Sequence, residues 1–239
     1  MTVNNGESGL CWSWLDSDVY LFDIDGTILR TRDLVHYNAL NRAMREVYGK
    51  DTTIDGVPYH GMTDLGILRT ALEQVGVPSG EFERKLSEAL SFVCRDVKEN
   101  CASLEPQVCD AIPAVLERLR RSEKLLGVAS GNLESVGWHK IAAAGLRPFF
   151  SFGVFSDQHE QRAQIFARGV AYAKKRLGDG ARVCFIGDTP QDILAARAAG
   201  AQIISVCTGI FPREELTALS PDLCVSSCAE LLQMNRLRR

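Results

Sequence analysis

What this sequence does not contain narrows its function first. No uncharged apolar run approaches the roughly 20 residues that a membrane-spanning helix requires. The stretch from Met1 to Trp14 has no basic segment leading into a continuous apolar one, so neither anchor nor secretory leader is expected and the expected location is cytoplasmic. Excess positive charge is also missing. The 27 Lys and Arg stand against 30 Asp and Glu, and a net charge of -3 offers no general attraction to a nucleic-acid backbone or an anionic membrane. Any anionic ligand must therefore be gripped by local groups. The basic cluster Arg236, Arg238 and Arg239 reads as a solvated helix end. Eight cysteines are scattered through a chain too long to need a disulfide framework, and buried free thiols are expected. Cys224 and Cys228 have no matching Cys or His pair at zinc-finger spacing, which argues against structural zinc. Repeats, low-complexity tracts and Gly/Ser linkers are absent as well.

What is present is the composition of a soluble globular protein, 46% hydrophobic and 24% charged over 239 residues. After a polar lead-in of some fifteen residues, short apolar runs end abruptly in polar residues. Val19 to Phe22 opens into Asp23, Ile24, Asp25, Gly26 and Thr27. Leu125 to Ala129 opens into Ser130, Gly131 and Asn132, and Arg182 to Ile186 opens into Gly187, Asp188 and Thr189. Each reads as a buried strand delivering chemistry at its C-terminal end. Helical patterns lie between and after them at Ile112 to Arg121, Leu133 to Ala144, Gln161 to Leu177 and Gln191 to Ala199, several closed by glycine. Ile203 to Cys207 and Leu223 to Val225 add further strands. The alternation predicts an α/β fold with a doubly wound, mostly parallel sheet, whose strand ends gather in one crevice.

Between about residues 31 and 108 the alternation stops. Helical stretches at Val35 to Tyr48, Asp64 to Val75 and Glu81 to Glu99 follow one another with no strand recognisable between them. The expected organisation is therefore a core of residues 15–30 and 109–239 carrying a small helical insertion, 31–108, tethered by hinges near Leu29 to Asp33 and Glu105 to Asp110. A monomer is expected.

Two carboxylates spaced as Asp23 and Asp25 can divide labour, one attacking while the other handles protons, and Gly26 lets backbone approach a ligand. Attack on an anionic phosphate needs cations nearby. Asp23, Asp188 and a main-chain carbonyl at Asp25 would supply the hard oxygen ligands that Mg2+ prefers. The plainer reading is that Asp23 and Asp25 end a strand in an Asx turn, and Ser130 to Asn132 alone is an ordinary helix cap.

DIDGT at 23–27, the strand ending in Ser130, a cation some thirty positions later and GDTPQD at 187–192 together resemble the four motifs of haloacid dehalogenase superfamily phosphatases, of the phosphoglycolate-phosphatase-like kind with a helical cap. The resemblance spans nearly the whole chain. It implies magnesium-dependent hydrolysis of a small phosphorylated metabolite, with Asp23 as nucleophile and metal ligand and Asp25 as acid, then base, and a main-chain metal ligand. Ser130, helped by N–H groups of Gly131 and Asn132, would bind the phosphoryl group, and Asp188 would complete the metal site. Asp192, one turn on, would orient metal-bound water or serve only the helix start. The third motif departs from the usual Lys. Within Ser156 to Arg162 the role falls to Arg162, with Lys174 and Lys175 as alternatives. In the insertion, Gly61 to Asp64 resembles a substrate-facing cap loop presenting His60, Met62 or Thr63, or else an ordinary helix cap at Thr63 or Asp64. His36 reads as a helix-surface or core residue without a partner.

Three other readings stand beside this one. A phosphomutase of the β-phosphoglucomutase type would share the core, and a dehalogenase would lack Asp25. A non-catalytic binding protein or phospho-receiver would lack the full carboxylate set or the insertion.

Overall fold

The computed structural model describes residues 13–234. Most of the polar lead-in and the terminal arginines, Arg236, Arg238 and Arg239, lie outside the described residues. In chain order the elements are β1 (Val19–Phe22), β2 (Leu29–Thr31), α1 (Val35–Tyr48), α2 (Asp64–Gln74), α3 (Ser79–Glu99) and β3 (Pro106–Val108). There follow α4 (Ile112–Arg121), β4 (Leu125–Ala129), α5 (Glu134–Ala143), β5 (Phe152–Val154), α6 (Arg162–Leu177) and β6 (Val183–Gly187). The remainder are α7 (Pro190–Ala198), β7 (Gln202–Val206), α8 (Arg213–Ala218), β8 (Leu223–Val225) and α9 (Cys228–Met234).

Six strands form one parallel sheet in the order β5-β4-β1-β6-β7-β8. Strict alternation along β1 explains why both faces are covered. Val19 and Leu21 enter one hydrophobic cluster with Phe166 of α6 and Phe185 of β6, whereas Tyr20 and Phe22 enter another with Val115, Leu116 and Leu119 of α4. In β6, Val183 and Phe185 side with the first cluster and Cys184 and Ile186 with the second. A strand whose two faces are both apolar must sit between helical layers. The chain leaves β1 toward β4 and β5 on one side and resumes at β6, β7 and β8 on the other, so the C-terminal ends of β4, β1 and β6 flank the crevice at the point where the winding reverses.

α1, α2 and α3 build a third cluster around Leu40, Met44, Leu68, Leu72 and Phe82. Leu133 and Val136, at the start of α5, belong to this cluster too, so the inserted helices pack directly on a core helix. The expected hinge segments contain β2 and β3. β2 and β3 pair antiparallel, with Leu29 opposite Val108, Arg30 opposite Gln107 and Thr31 opposite Pro106, a two-stranded ribbon beneath the insertion. No helix among the described residues is long and apolar enough to cross a membrane. Seven cysteines among them are free thiols, of which Cys109, Cys184 and Cys228 are buried.

Candidate active site

Asp23 directly follows β1, and its N–H donates to Ile186 O at 2.9 Å, which ties the end of β1 to the end of β6. The next five residues coil tightly, the N–H groups of Ile28 and Leu29 both donating to Ile24 O at 2.9 and 3.0 Å. Gly26 adopts φ +86°, and a Cβ there would stand 2.3 Å from Asp188 Oδ2. Glycine is therefore required on both counts, conformation and space. The turn exists so that Asp188, arriving from β6, can close on Asp23. Thr27 Oγ1 donates to Asp188 Oδ1 at 2.8 Å and fixes its rotamer.

Carboxylate oxygens of Asp23, Asp188 and Asp192 lie within 4.8 Å of one another, and all three residues are buried. Arg162, the first residue of α6, reaches into this trio. Its Nε donates to Asp192 Oδ1 at 2.7 Å, and its Nη2 lies 2.6 Å from Asp23 Oδ1 as a close ion pair. That contact is not an aligned hydrogen bond, so Nη2 is a buried donor without a well-directed acceptor. Burial pushes the Asp23 carboxyl well above its ordinary range; Arg162 opposes this, while Asp192 and Asp25 add to it. Asp188 is raised for the same reasons, burial first and then the charge of Asp23. Burial alone would make Arg162 easier to deprotonate, but the three carboxylates outweigh it and hold the guanidinium charged.

Asp192 has a different task from its neighbours. Its Oδ2 accepts from both the N–H and the Oγ1 of Thr189, at 3.0 and 2.7 Å, while Thr189 Oγ1 accepts from Asp192 N, forming a capping box at the start of α7. With Oδ1 held by Arg162, both oxygens carry protein donors. Asp192 thus anchors Arg162 and caps the start of α7 while its carboxylate stays within the trio.

Ser130 directly follows β4, on the opposite side of Asp23, and is buried. Asn132 Nδ2 donates to Ser130 Oγ and to Asp25 Oδ2, both at 2.8 Å. Ser130 Oγ thus accepts, and among the described residues it donates to no protein acceptor, which leaves its hydrogen available to a ligand in the cavity it lines. At the start of α5 the N–H groups of Leu133 and Glu134 are taken by the side chains of Asp64 and Asp157, each at 2.8 Å. Among the described residues the N–H of Gly131 has no protein acceptor, and that of Asn132 makes only a 3.4 Å contact with Ser130 Oγ.

Lys140, two turns into α5, was not singled out from the sequence. Only 3% of its side chain is exposed, and its Nζ donates to Asp25 Oδ1 and Oδ2 at 2.9 and 2.7 Å and to Asn132 Oδ1 at 2.9 Å. Burial works to raise Asp25, but Lys140 by charge and hydrogen bond, and Asn132 by hydrogen bond, outweigh it and hold the carboxyl below its ordinary range. Thr31 of the β2–β3 ribbon adds a 3.3 Å hydrogen bond to Asp25 Oδ1.

A haloacid dehalogenase-like hydrolase family model matches residues 18–200, which contain every residue described so far in this site. The chain belongs to the haloacid dehalogenase-like hydrolases. It is 24% identical to a phosphoglycolate phosphatase of Colwellia psychrerythraea, over 91% of this chain and 96% of that protein. With an N-acetylmuramic acid 6-phosphate phosphatase of Pseudomonas aeruginosa the identity is 27%, over 90% and 92%. A solved structure of CbbY from Rhodobacter sphaeroides in complex with phosphate shares the fold, with a TM-score of 0.65 at 19% identity, over 90% of this chain and 96% of that one.

In this hydrolase the crevice opens into a cavity of about 440 Å3 bounded below by Asp23, Asp25, Ser130, Gly131, Asn132, Arg162 and Asp188 and above by the inserted helices. His60 and Met62, in the loop before α2, line it. Thr63 does not. Its Oγ1 accepts from Gly66 N at 3.1 Å as the N-cap of α2 and donates to Glu160 O at 2.6 Å, so it is buried between insertion and core. His36 does line the cavity and has a partner, Asp64 Oδ2 at 3.2 Å. Lys174 and Lys175 sit 12 and 13 residues beyond Arg162 on α6, about 18 Å along the helix, with exposed side chains, and are too distant to replace it.

Proposed function

We propose that this hydrolase is a magnesium-dependent phosphatase that removes the phosphoryl group of a small phosphomonoester through an aspartyl-phosphate on Asp23. The observation that carries the reading is the convergence of Asp23, Arg162 and the Ser130–Asn132 pair on one buried point. There the nucleophile, a guanidinium Nη2 lacking an aligned acceptor and the Ser130 hydroxyl, which has no protein acceptor among the described residues, line the same cavity. An incoming phosphoryl group would satisfy Arg162 Nη2, Ser130 Oγ and the Gly131 N–H together.

In the first displacement an Asp23 oxygen attacks phosphorus and the ester oxygen leaves with a proton from Asp25; in the second, water attacks the aspartyl-phosphate and gives its proton to Asp25. Asp25 is suited to both because opposing influences act on it. Lys140 favours its ionised form, and the negative phosphoryl group entering beside it favours the protonated one.

The acidic donor set fits a hard divalent cation. Two buried carboxylates, Asp23 and Asp188, are pushed upward by burial and mutual repulsion with Arg162 as the only cation in direct contact with the trio among the described residues. Magnesium would be held by Asp23, Asp188 and the main-chain oxygen of Asp25, where it would supply a Lewis acid for a phosphoryl oxygen. We place residues 31–108 as the cap over this centre, with His60, Met62 and His36 facing the ester's leaving group. The names of the relatives differ in substrate, and the cavity, at about 440 Å3, has room for more than a two-carbon ester.

A panel of phosphorylated metabolites assayed with magnesium tests the reading. Phosphate release from at least one small monoester supports it. Transfer dependent on a sugar bisphosphate would instead make it a mutase, and saturable binding without turnover would remove the catalytic assignment.

A further inference from the structure

Lys140 is the buried charge that this scheme has so far used only as a neighbour. An ammonium has three N–H donors, and here all three are committed, two to the oxygens of Asp25 and one to Asn132 Oδ1. The last contact also fixes the orientation of the Asn132 amide, because only its oxygen can face an ammonium. Its nitrogen is thereby turned toward Asp25 and Ser130. Val136, Lys140 and Ile141 share the buried face of α5, so the ammonium sits on a rigid helix rather than on a loop. Asp25 itself keeps 40% of its side chain exposed, and Lys140 is the one partner that grips both of its oxygens among the described residues.

Resting on the phosphatase reading, we infer that Lys140 is a positioning residue for the second half of the reaction. Gripped through both oxygens from the buried face of α5, Asp25 is held in place as the proton acceptor for the water that attacks the aspartyl-phosphate. In that step the water oxygen bonds to phosphorus and the bond from phosphorus to the Asp23 oxygen breaks. The electron pair returns to Asp23, the water proton passes to Asp25, and inorganic phosphate departs. The first half-reaction depends on Lys140 less when the leaving group is a stable phenolate that needs little protonation.

The test compares wild type with Lys140→Met on p-nitrophenyl phosphate in the presence of magnesium. Here kcat/KM reports formation of the phosphoenzyme and kcat includes its hydrolysis. The expected result is a fall of about a hundredfold in kcat, within the usual range for a general base. KM should fall with it, kcat/KM should stay within about fivefold, and a burst of p-nitrophenolate approaching one equivalent per chain should appear. Equal losses in kcat and kcat/KM, no loss, or no burst would overturn the inference. Lys140→Gln serves if the Met variant does not fold, and if neither folds Lys140 is a stability residue and the inference fails. Absence of phosphate release by the wild type would refute the phosphatase reading instead, so the two failures are distinct.

Discussion

Removing the Arg162 guanidinium would leave Asp23, Asp188 and Asp192 crowded within 4.8 Å without the cation that now lies between two of them. Arg162→Ala is therefore expected to lower kcat/KM at least a hundredfold, the order associated with losing one oriented donor to a developing charge. Steady-state kinetics on any accepted monoester would measure it, and a rate within a few-fold of wild type would take Arg162 out of the centre. Asp23, Asp25, Ser130 and Asp188 were legible in the sequence because each closes a buried apolar run, and in a parallel sheet such ends converge. Lys140 was not, because a lone lysine near the end of a helix ordinarily reads as a solvated charge complementing the helix dipole. A signal did exist. Lys140 lies four residues after Val136 and one before Ile141, on the apolar face, and eight after Asn132, whose amide oxygen it meets.

The start of α2 shows how one residue can belong to two elements at once. Thr63 caps α2 through Gly66 N and also donates to Glu160 O just ahead of α6. Thr63→Ala should cost about 0.5–2 kcal/mol, the usual range for a lost N-cap. Chemical denaturation would show this as a lower midpoint at unchanged slope, and an unchanged midpoint would mean that neither bond contributes. Most helices could be read from periodicity and glycine stops. α1 and α4 have the expected bounds, and α5, α6 and α7 differ by a residue or so at their ends. The short elements escaped for physical reasons. β5 offers only Phe-Gly-Val, with a glycine that weakens any strand pattern. β2 and β3 are three residues each, and their pairing joins segments more than seventy positions apart, so nothing local marks them. That ribbon and the contact of Leu133 and Val136 with α1, α2 and α3 tie residues 31–108 to the rest of the chain.

Across the whole molecule, the acidic centre should couple metal binding, protonation and stability. Asp23 is raised from 3.8 to about 7 in the folded chain. Between those values the folded form binds more protons than the unfolded one, so this group's contribution to stability declines as pH rises through that window. A divalent cation binds the deprotonated carboxylates and reverses the penalty. The rise in Tm on adding magnesium should therefore be larger at pH 8 than at pH 5, and calorimetry showing a pH-independent rise, or none, would count against the proposed ligands. The central claim is that Asp23 carries the phosphoryl group, and the most direct measurement is phosphate release from p-nitrophenyl phosphate with magnesium by wild type and by Asp23→Asn of verified fold. The wild type should turn over and the variant should not, whereas undiminished turnover by Asp23→Asn would contradict the mechanism.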